Sequence, residues 1–184
     1  MSTVHPPILE SRRFAWPDEA ACRATALALA ACPALRQACI ELHGPLGAGK
    51  TTFVRHLLHA LGVAGRVKSP TYAVMEPYEL PEGHAWHFDF YRFDDPQEWE
   101  DAGFRDIYAA TGLKLAEWPD KAAGLLPVPD LRIDIAVVED VGGDGGRGVV
   151  ADMSDTDADN DAAQAAVRDV RFSALTPLGR TLLP

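Results

Sequence analysis

The sequence predicts a single α/β domain, a mixed β-sheet flanked by helices, and three observations carry that expectation. Segments with helical periodicity interleave with segments that alternate like strands, which calls for layers of helices around one sheet. Short turns join several of the strand pairs, so the sheet cannot be purely parallel. A glycine-rich loop lies between an alternating strand and an amphipathic helix. The chain has 184 residues, the usual size of one domain with one sizeable core.

Trp16-Pro17-Asp18-Glu19 is expected to open the first helix, since proline suits a first turn and early acids complement the positive end of the helix dipole. The helix should run to about Cys32 and stop at Pro33. Ala38 to His43 alternates as a strand, with Ala38, Ile40 and Leu42 on one face. Lys50 to Leu61 reads as a helix with Phe53, Val54, Leu57, Leu58 and Leu61 on one side and Gly62 as its stop. Val67 to Tyr72 is a loop. Ala73 to Leu80 and Ala85 to Phe93 are strands joined by the turn Pro81 to His84. A helix from Pro96 to Tyr108, breakable at Gly103, precedes a short strand from Leu113 to Glu117. Leu131 to Glu139 and Val167 to Leu175 form an antiparallel pair, and Leu178 to Leu183 adds a helical turn.

Composition narrows the class. The chain is 47% hydrophobic and 24% charged, and no apolar run approaches the ~20 residues of a membrane helix. The N-terminus lacks the basic-then-apolar pattern of a secretory signal, so the expected compartment is the cytoplasm. Three cysteines without a C-x-x-C pair give neither a disulfide framework nor a zinc site. Of the net charge of −10, the stretch from Glu139 to Asp161 carries −7 and the remainder −3. Neither part has the basic footprint of a protein that grips nucleic acid by itself. Residues 141–164, rich in glycine and aspartate, are expected to form a flexible acidic insertion that buries too little to offset its ordering entropy. Its D-x-D-x-D run from Asp155 is no calcium loop, because Asn160 replaces the turn glycine and Ala166 the closing acid.

Gly44-Pro-Leu-Gly-Ala-Gly-Lys-Thr51 fits G-x-x-x-x-G-K-[ST], the phosphate-binding P-loop. Glycines let the backbone curl so that successive N–H groups face phosphate oxygens, and the following helix adds its free N–H groups and dipole. Gly47, Ala48, Gly49, Lys50, Thr51 and Thr52 are therefore the expected ATP-binding residues of a P-loop NTPase-like domain. Lys50 should place its cation on the phosphates from an exposed loop–helix junction, and Thr51 should offer its hydroxyl to magnesium. The guanine-reading N-K-x-D is missing, since Asn160 is the only asparagine and Asp161 follows it; ATP is the expected nucleotide.

Such a loop needs an acid from a neighbouring strand. Asp89 is a candidate, on a strand where Trp86, Phe88 and Phe90 share one face and His87, Asp89 and Tyr91 the other. Glu117, at a strand end, is a second, since ligands gather at strand ends in open α/β sheets. Spacing alone leaves both open between a site residue and an ordinary surface carboxylate. Ser69-Pro-Thr71 is either a γ-phosphate-sensing loop or a turn held by local hydroxyl bonds, and pattern alone favours the turn.

Four segments, GPLGAGKTT from Gly44, VKSPTYAVMEPY from Val67, HFDFYR from His87 and EWP from Glu117, occur in this order and spacing. Together they resemble the TsaE family of bacterial ATPases, formerly called YjeE, over roughly residues 14–137 and again from about 167. The resemblance implies a role in threonylcarbamoyl modification of the adenosine beside the tRNA anticodon. It implies action with TsaD, the threonylcarbamoyl transferase, and TsaB, its noncatalytic partner, on a donor made by TsaC or its relative Sua. It implies that Lys50 binds phosphates, Thr51 and Glu117 hold Mg2+, Asp89 is the Walker-B-type acid and Thr71 belongs to a switch-like loop. Trp118 would report on nucleotide binding, and Glu19 would reach the nucleotide from the first helix. Pro45 departs from the family, which usually has an acid there, and the acidic insertion has no counterpart. The rival readings are a small-molecule kinase, opposed by the lack of an arginine-rich lid between Lys50 and Glu117, and a nucleotide-dependent binding module without useful hydrolysis.

Overall fold

The computed structural model describes residues 6–70, 73–138 and 166–184. Thr71 and the insertion at 141–164 lie outside the described residues. Seven strands form one sheet: β1 (Glu10–Trp16), β2 (Cys39–His43), β3 (Met75–Leu80), β4 (Gly83–Asp89), β5 (Leu113–Glu117), β6 (Leu131–Val137) and β7 (Arg168–Ala174), in the order β1-β7-β6-β2-β5-β4-β3. The central four, β6, β2, β5 and β4, are parallel. Antiparallel strands flank them, β3 on β4 at one edge and β7 then β1 beyond β6 at the other. The mixed sheet expected from the short turns is therefore present, and β5 is buried along its whole length.

The helices are α1 (Glu19–Ala30), α2 (Lys50–Ala60), α3 (Pro96–Asp101), α4 (Phe104–Ala109) and α5 (Pro177–Thr181). The start of α1 differs from expectation. Trp16 is the last residue of β1, and the helix opens only at Glu19. Asp18, not Pro17, makes the boundary: its carboxylate accepts the Ala21 N–H at 2.8 Å and caps the free end of the helix. Pro33 does not end the structure but opens a 3-10 turn to Gln37. The break at Gly103 is real, with that residue at φ 67° between α3 and α4. The β3–β4 turn is tighter than expected, because Leu80 already pairs with Gly83.

Two cores hold the sheet. Under α1 and α2 lie Ile40, Leu42, Leu115, Ile133 and Phe172, all fully buried, with Leu57 and Leu58 from α2. Phe53 of α2 stacks on Trp16 at 5.4 Å between centroids and meets Phe172 edge-on at 6.3 Å, which fixes the helix after the glycine loop to the far half of the sheet. On the opposite face, Phe88 and Phe90 pack with Trp99 and Phe104 of α3 and α4. The alternation of the β4 segment thus turns its aromatics away from α2 and leaves His87 and Asp89 on α2's side. Among the described residues, no helix is long and apolar enough to cross a membrane.

Candidate nucleotide site

Parallel pairing brings the C-terminal ends of β2, β5 and β4 side by side, the place where open α/β sheets bind ligands. Leu42 pairs with Glu117, and Glu117 with Asp89. The chain leaves β2 through the glycine loop and enters α2 directly above these two acids. Gly44 has to be glycine here. It sits at φ +148°, and a Cβ on it would stand 2.4 Å from the Ile135 carbonyl oxygen, far inside any tolerable contact. The chain at Gly44 therefore runs close against β6. Gly49, at φ 104°, turns the chain into α2, whose first N–H groups have no partner within the helix.

A pocket of about 590 Å³ opens over the loop, within the usual size of small-molecule sites. Glu19, Gly47, Ala48, Gly49, Lys50, Thr51, Thr52, Asp89, Glu117 and Trp118 all line it, so every expected site residue that is described faces one cavity. Thr71 is not among the described residues. Arg55, Arg92 and Arg168 also line the pocket, as do Trp16, Asp18 and Cys22. The sequence reading did not foresee them. Arg168 opens β7 and pairs with Trp16 at the end of β1, so it reaches the site only through a strand register that no local motif announces. Three arginines therefore line the pocket although no arginine-rich lid is marked between Lys50 and Glu117 in the sequence.

Lys50 corrects another expectation. It is 4% exposed, not at an open junction. Its Nζ donates to the carbonyls of Gly44 at 2.7 Å and Pro45 at 2.9 Å, and lies 3.9 Å from the centroid of the Trp118 ring. Burial pulls its pKa below the ordinary lysine range, while Glu117 and Asp89 act in the opposite direction. Pro45 contributes through its backbone, accepting from Lys50 and from the Ala48 N–H at 3.2 Å, so the loop forms without the family's acid at that position.

Trp118 takes the left-handed conformation, φ 56° and ψ 44°, immediately before Pro119. That backbone is uncommon for a non-glycine residue and turns the indole under Lys50, with Tyr91 at 5.0 Å between ring centroids. Below it, the buried Glu117 carboxylate accepts the Thr51 hydroxyl at Oε2, 3.0 Å away, and faces His87 Nε2 at Oε1, 2.9 Å away. Asp89 accepts the Ser69 hydroxyl and, at 3.0 Å, the Tyr91 N–H. Its own N–H donates to the Val74 carbonyl at 2.8 Å. The Ser69 contact spans 20 residues, so the hydroxyl is engaged beyond the local turn bonding that pattern alone favoured. Asp89 thereby contacts both Ser69 and Val74. At the outer rim, Glu19 meets His56 Nε2 at 2.9 Å.

The donor set fits magnesium. Thr51 and Glu117 supply hard oxygen atoms side by side, and a hydroxyl that donates to the carboxylate keeps its lone pairs for a cation. Among the described residues no cluster of three or more His, Cys, Asp or Glu could hold a metal alone. Magnesium is usually bound this way, through one or two protein oxygens together with phosphates and water.

The sequence profile of the threonylcarbamoyl adenosine biosynthesis protein TsaE matches residues 16–143. The chain belongs to the TsaE family. It is 43% identical over 101 residues to the tRNA threonylcarbamoyladenosine biosynthesis protein TsaE of Haemophilus influenzae, an alignment covering 55% of this chain and 64% of that protein. Against the TsaE of Bacillus subtilis the identity is 36% over 96 residues, covering 52% of this chain and 60% of the relative. The chain thus spans just under two thirds of the length of these relatives. The crystal structure of YdiB from Bacillus subtilis shares the fold, with a TM-score of 0.60 and 22% identity over 94% of this chain and 91% of that one. The profile takes in the P-loop, the Asp89 strand and Glu117, while β7 and its Arg168 lie beyond it.

Proposed function

We propose that this TsaE-family chain binds ATP with Mg2+ in the pocket over α2 and hydrolyses it to drive a conformational cycle of the TsaD–TsaB complex in threonylcarbamoyladenosine modification of tRNA. The observation that carries the reading is the convergence of Lys50, Thr51, Asp89 and Glu117 at three adjacent strand ends. In this reading the loop N–H groups and Lys50 take the phosphates, and Lys50 exchanges the Gly44 and Pro45 carbonyls for them. Thr51 and Glu117 hold the magnesium, which when bound neutralises charge on the β- and γ-phosphate oxygens. Asp89 acts as the Walker-B-type acid and couples the site to Ser69 and Thr71. Glu19, with Arg168 and Trp16 near it, belongs to the end of the pocket that receives the rest of the nucleotide. The chain acts in the cytoplasm and reaches tRNA mainly through its partners.

A ligand shifts a conformational equilibrium only by its differential affinity for the two states. A partner that prefers the ATP-bound loop is therefore released by hydrolysis. The purified chain should turn over ATP slowly, and a TsaD–TsaB complex should accelerate it. Association should be stronger with a slowly hydrolysed ATP analogue than with ADP. Association indifferent to the nucleotide, with turnover indifferent to the partners, would contradict the cycle. The arginines lining the pocket keep a small-molecule kinase as the second reading, and in that case a metabolite, not the protein partners, would raise ATP turnover.

A further inference from the structure

His87 is fully buried in β4, on the face that carries Ala85 and opposite Leu115 in the register, where an apolar side chain would pack at no electrostatic cost. A buried imidazole is tolerated only if its polar atoms are matched, and this one has a single match. Nε2 lies 2.9 Å from Glu117 Oε1, while Nδ1 has no hydrogen-bond partner among the described residues. A carboxylate oxygen accepts hydrogen bonds, which gives Nε2 the donor role in this contact. The two oxygens of Glu117 are thus divided between two donors, Oε1 to His87 and Oε2 to the Thr51 hydroxyl at 3.0 Å. With both ends held, the carboxylate plane cannot rotate.

We infer that His87 is a positioning residue, which clamps Oε1 so that Oε2 is presented beside Thr51 at the mouth of the glycine loop. The inference rests on the reading of Glu117 as a magnesium-holding carboxylate. Groups that orient a metal ligand in this way contribute measurably to metal affinity without touching the metal.

The test compares His87→Gln with His87→Asn. The glutamine amide nitrogen reaches about as far as Nε2 and restores the donor to Glu117; the shorter asparagine amide ends near the position of Nδ1 and does not. Titrations of a slowly hydrolysed ATP analogue, with magnesium and with chelator, read the metal's contribution to affinity apart from turnover. His87→Asn should lose that contribution by roughly tenfold, with chelator-only affinity unchanged, and His87→Gln should stay close to the wild type. Nitrogen NMR of the wild-type imidazole should show the proton on Nε2. Equal behaviour of the two variants, a failure of His87→Gln to fold, or an Nε2 without a proton would overturn the inference. A wild type whose affinity ignores magnesium would instead bring down the reading of Glu117 itself, and the role of His87 with it.

Discussion

Lys50→Ala is expected to lower ATP affinity by roughly 10- to 150-fold, the equivalent of losing charge-assisted bonds of about 1.5–3 kcal/mol. The variant should still fold, but it will not be silent in stability. Lys50 is buried, satisfies two carbonyls of its own loop and lies against the Trp118 ring. Removing it leaves the Gly44 carbonyl without its donor, while Pro45 keeps the Ala48 N–H; the cost is about 1–3 kcal/mol if the Gly44 carbonyl stays dry, so a lowered Tm should accompany the lost affinity. The same geometry sets a pH dependence. Burial holds the free-state pKa of Lys50 below the ordinary lysine range, and phosphate beside it would raise that pKa in the bound state. A group whose pKa rises on binding contributes fully below its free-state value and loses that contribution as pH climbs towards its bound-state value. Wild-type affinity should therefore weaken on the alkaline side, and the alanine variant should be flat across that window. Calorimetric titration across pH measures both effects; a folded variant with unchanged affinity would remove the phosphate-binding role.

Replacing Glu117 should act on the metal more than on the nucleotide. In Glu117→Ala the affinity in magnesium should fall by roughly 100-fold, no less than the loss of an outer-shell partner of a metal ligand. The affinity in chelator should change little. The side chain is also the acceptor for the Thr51 hydroxyl and the His87 ring, so alanine leaves the buried His87 donor unmatched and should destabilise the fold. Glu117→Gln keeps the shape and one acceptor oxygen while removing the charge, and it separates the two consequences. Equal losses with and without magnesium would make Glu117 a structural carboxylate. A loss confined to magnesium in the glutamine variant would assign it to the cation.

Where the information for a feature lies within a few residues, it was legible in the sequence. The glycine loop, the strand before it and the helix after it are consecutive, and each forms close to its expected bounds. The same is true of the five-residue strand that ends at Glu117 and of the break at Gly103. β1 was missed because it is an edge strand whose residues Ser11, Arg12 and Arg13 face water, so little alternation marks it. The role of Asp18 was missed with it, since the helix was started too early. The inward turn of Lys50 depends on Trp118, brought from the end of β5 by a left-handed backbone that its sequence does not signal. Arg168 and the His87–Glu117 contact are products of strand register, and register is a property of the whole sheet.

The account stands or falls on where the phosphates go. A crystal structure of the chain with a slowly hydrolysed ATP analogue and magnesium tests this most directly. The account predicts β- and γ-phosphates against the N–H groups of residues 47–52, with Lys50 Nζ moved from the Gly44 and Pro45 carbonyls onto phosphate oxygen and the cation between Thr51 and Glu117. A nucleotide bound elsewhere, or one bound in the pocket while Lys50 keeps its two carbonyl partners, would contradict it.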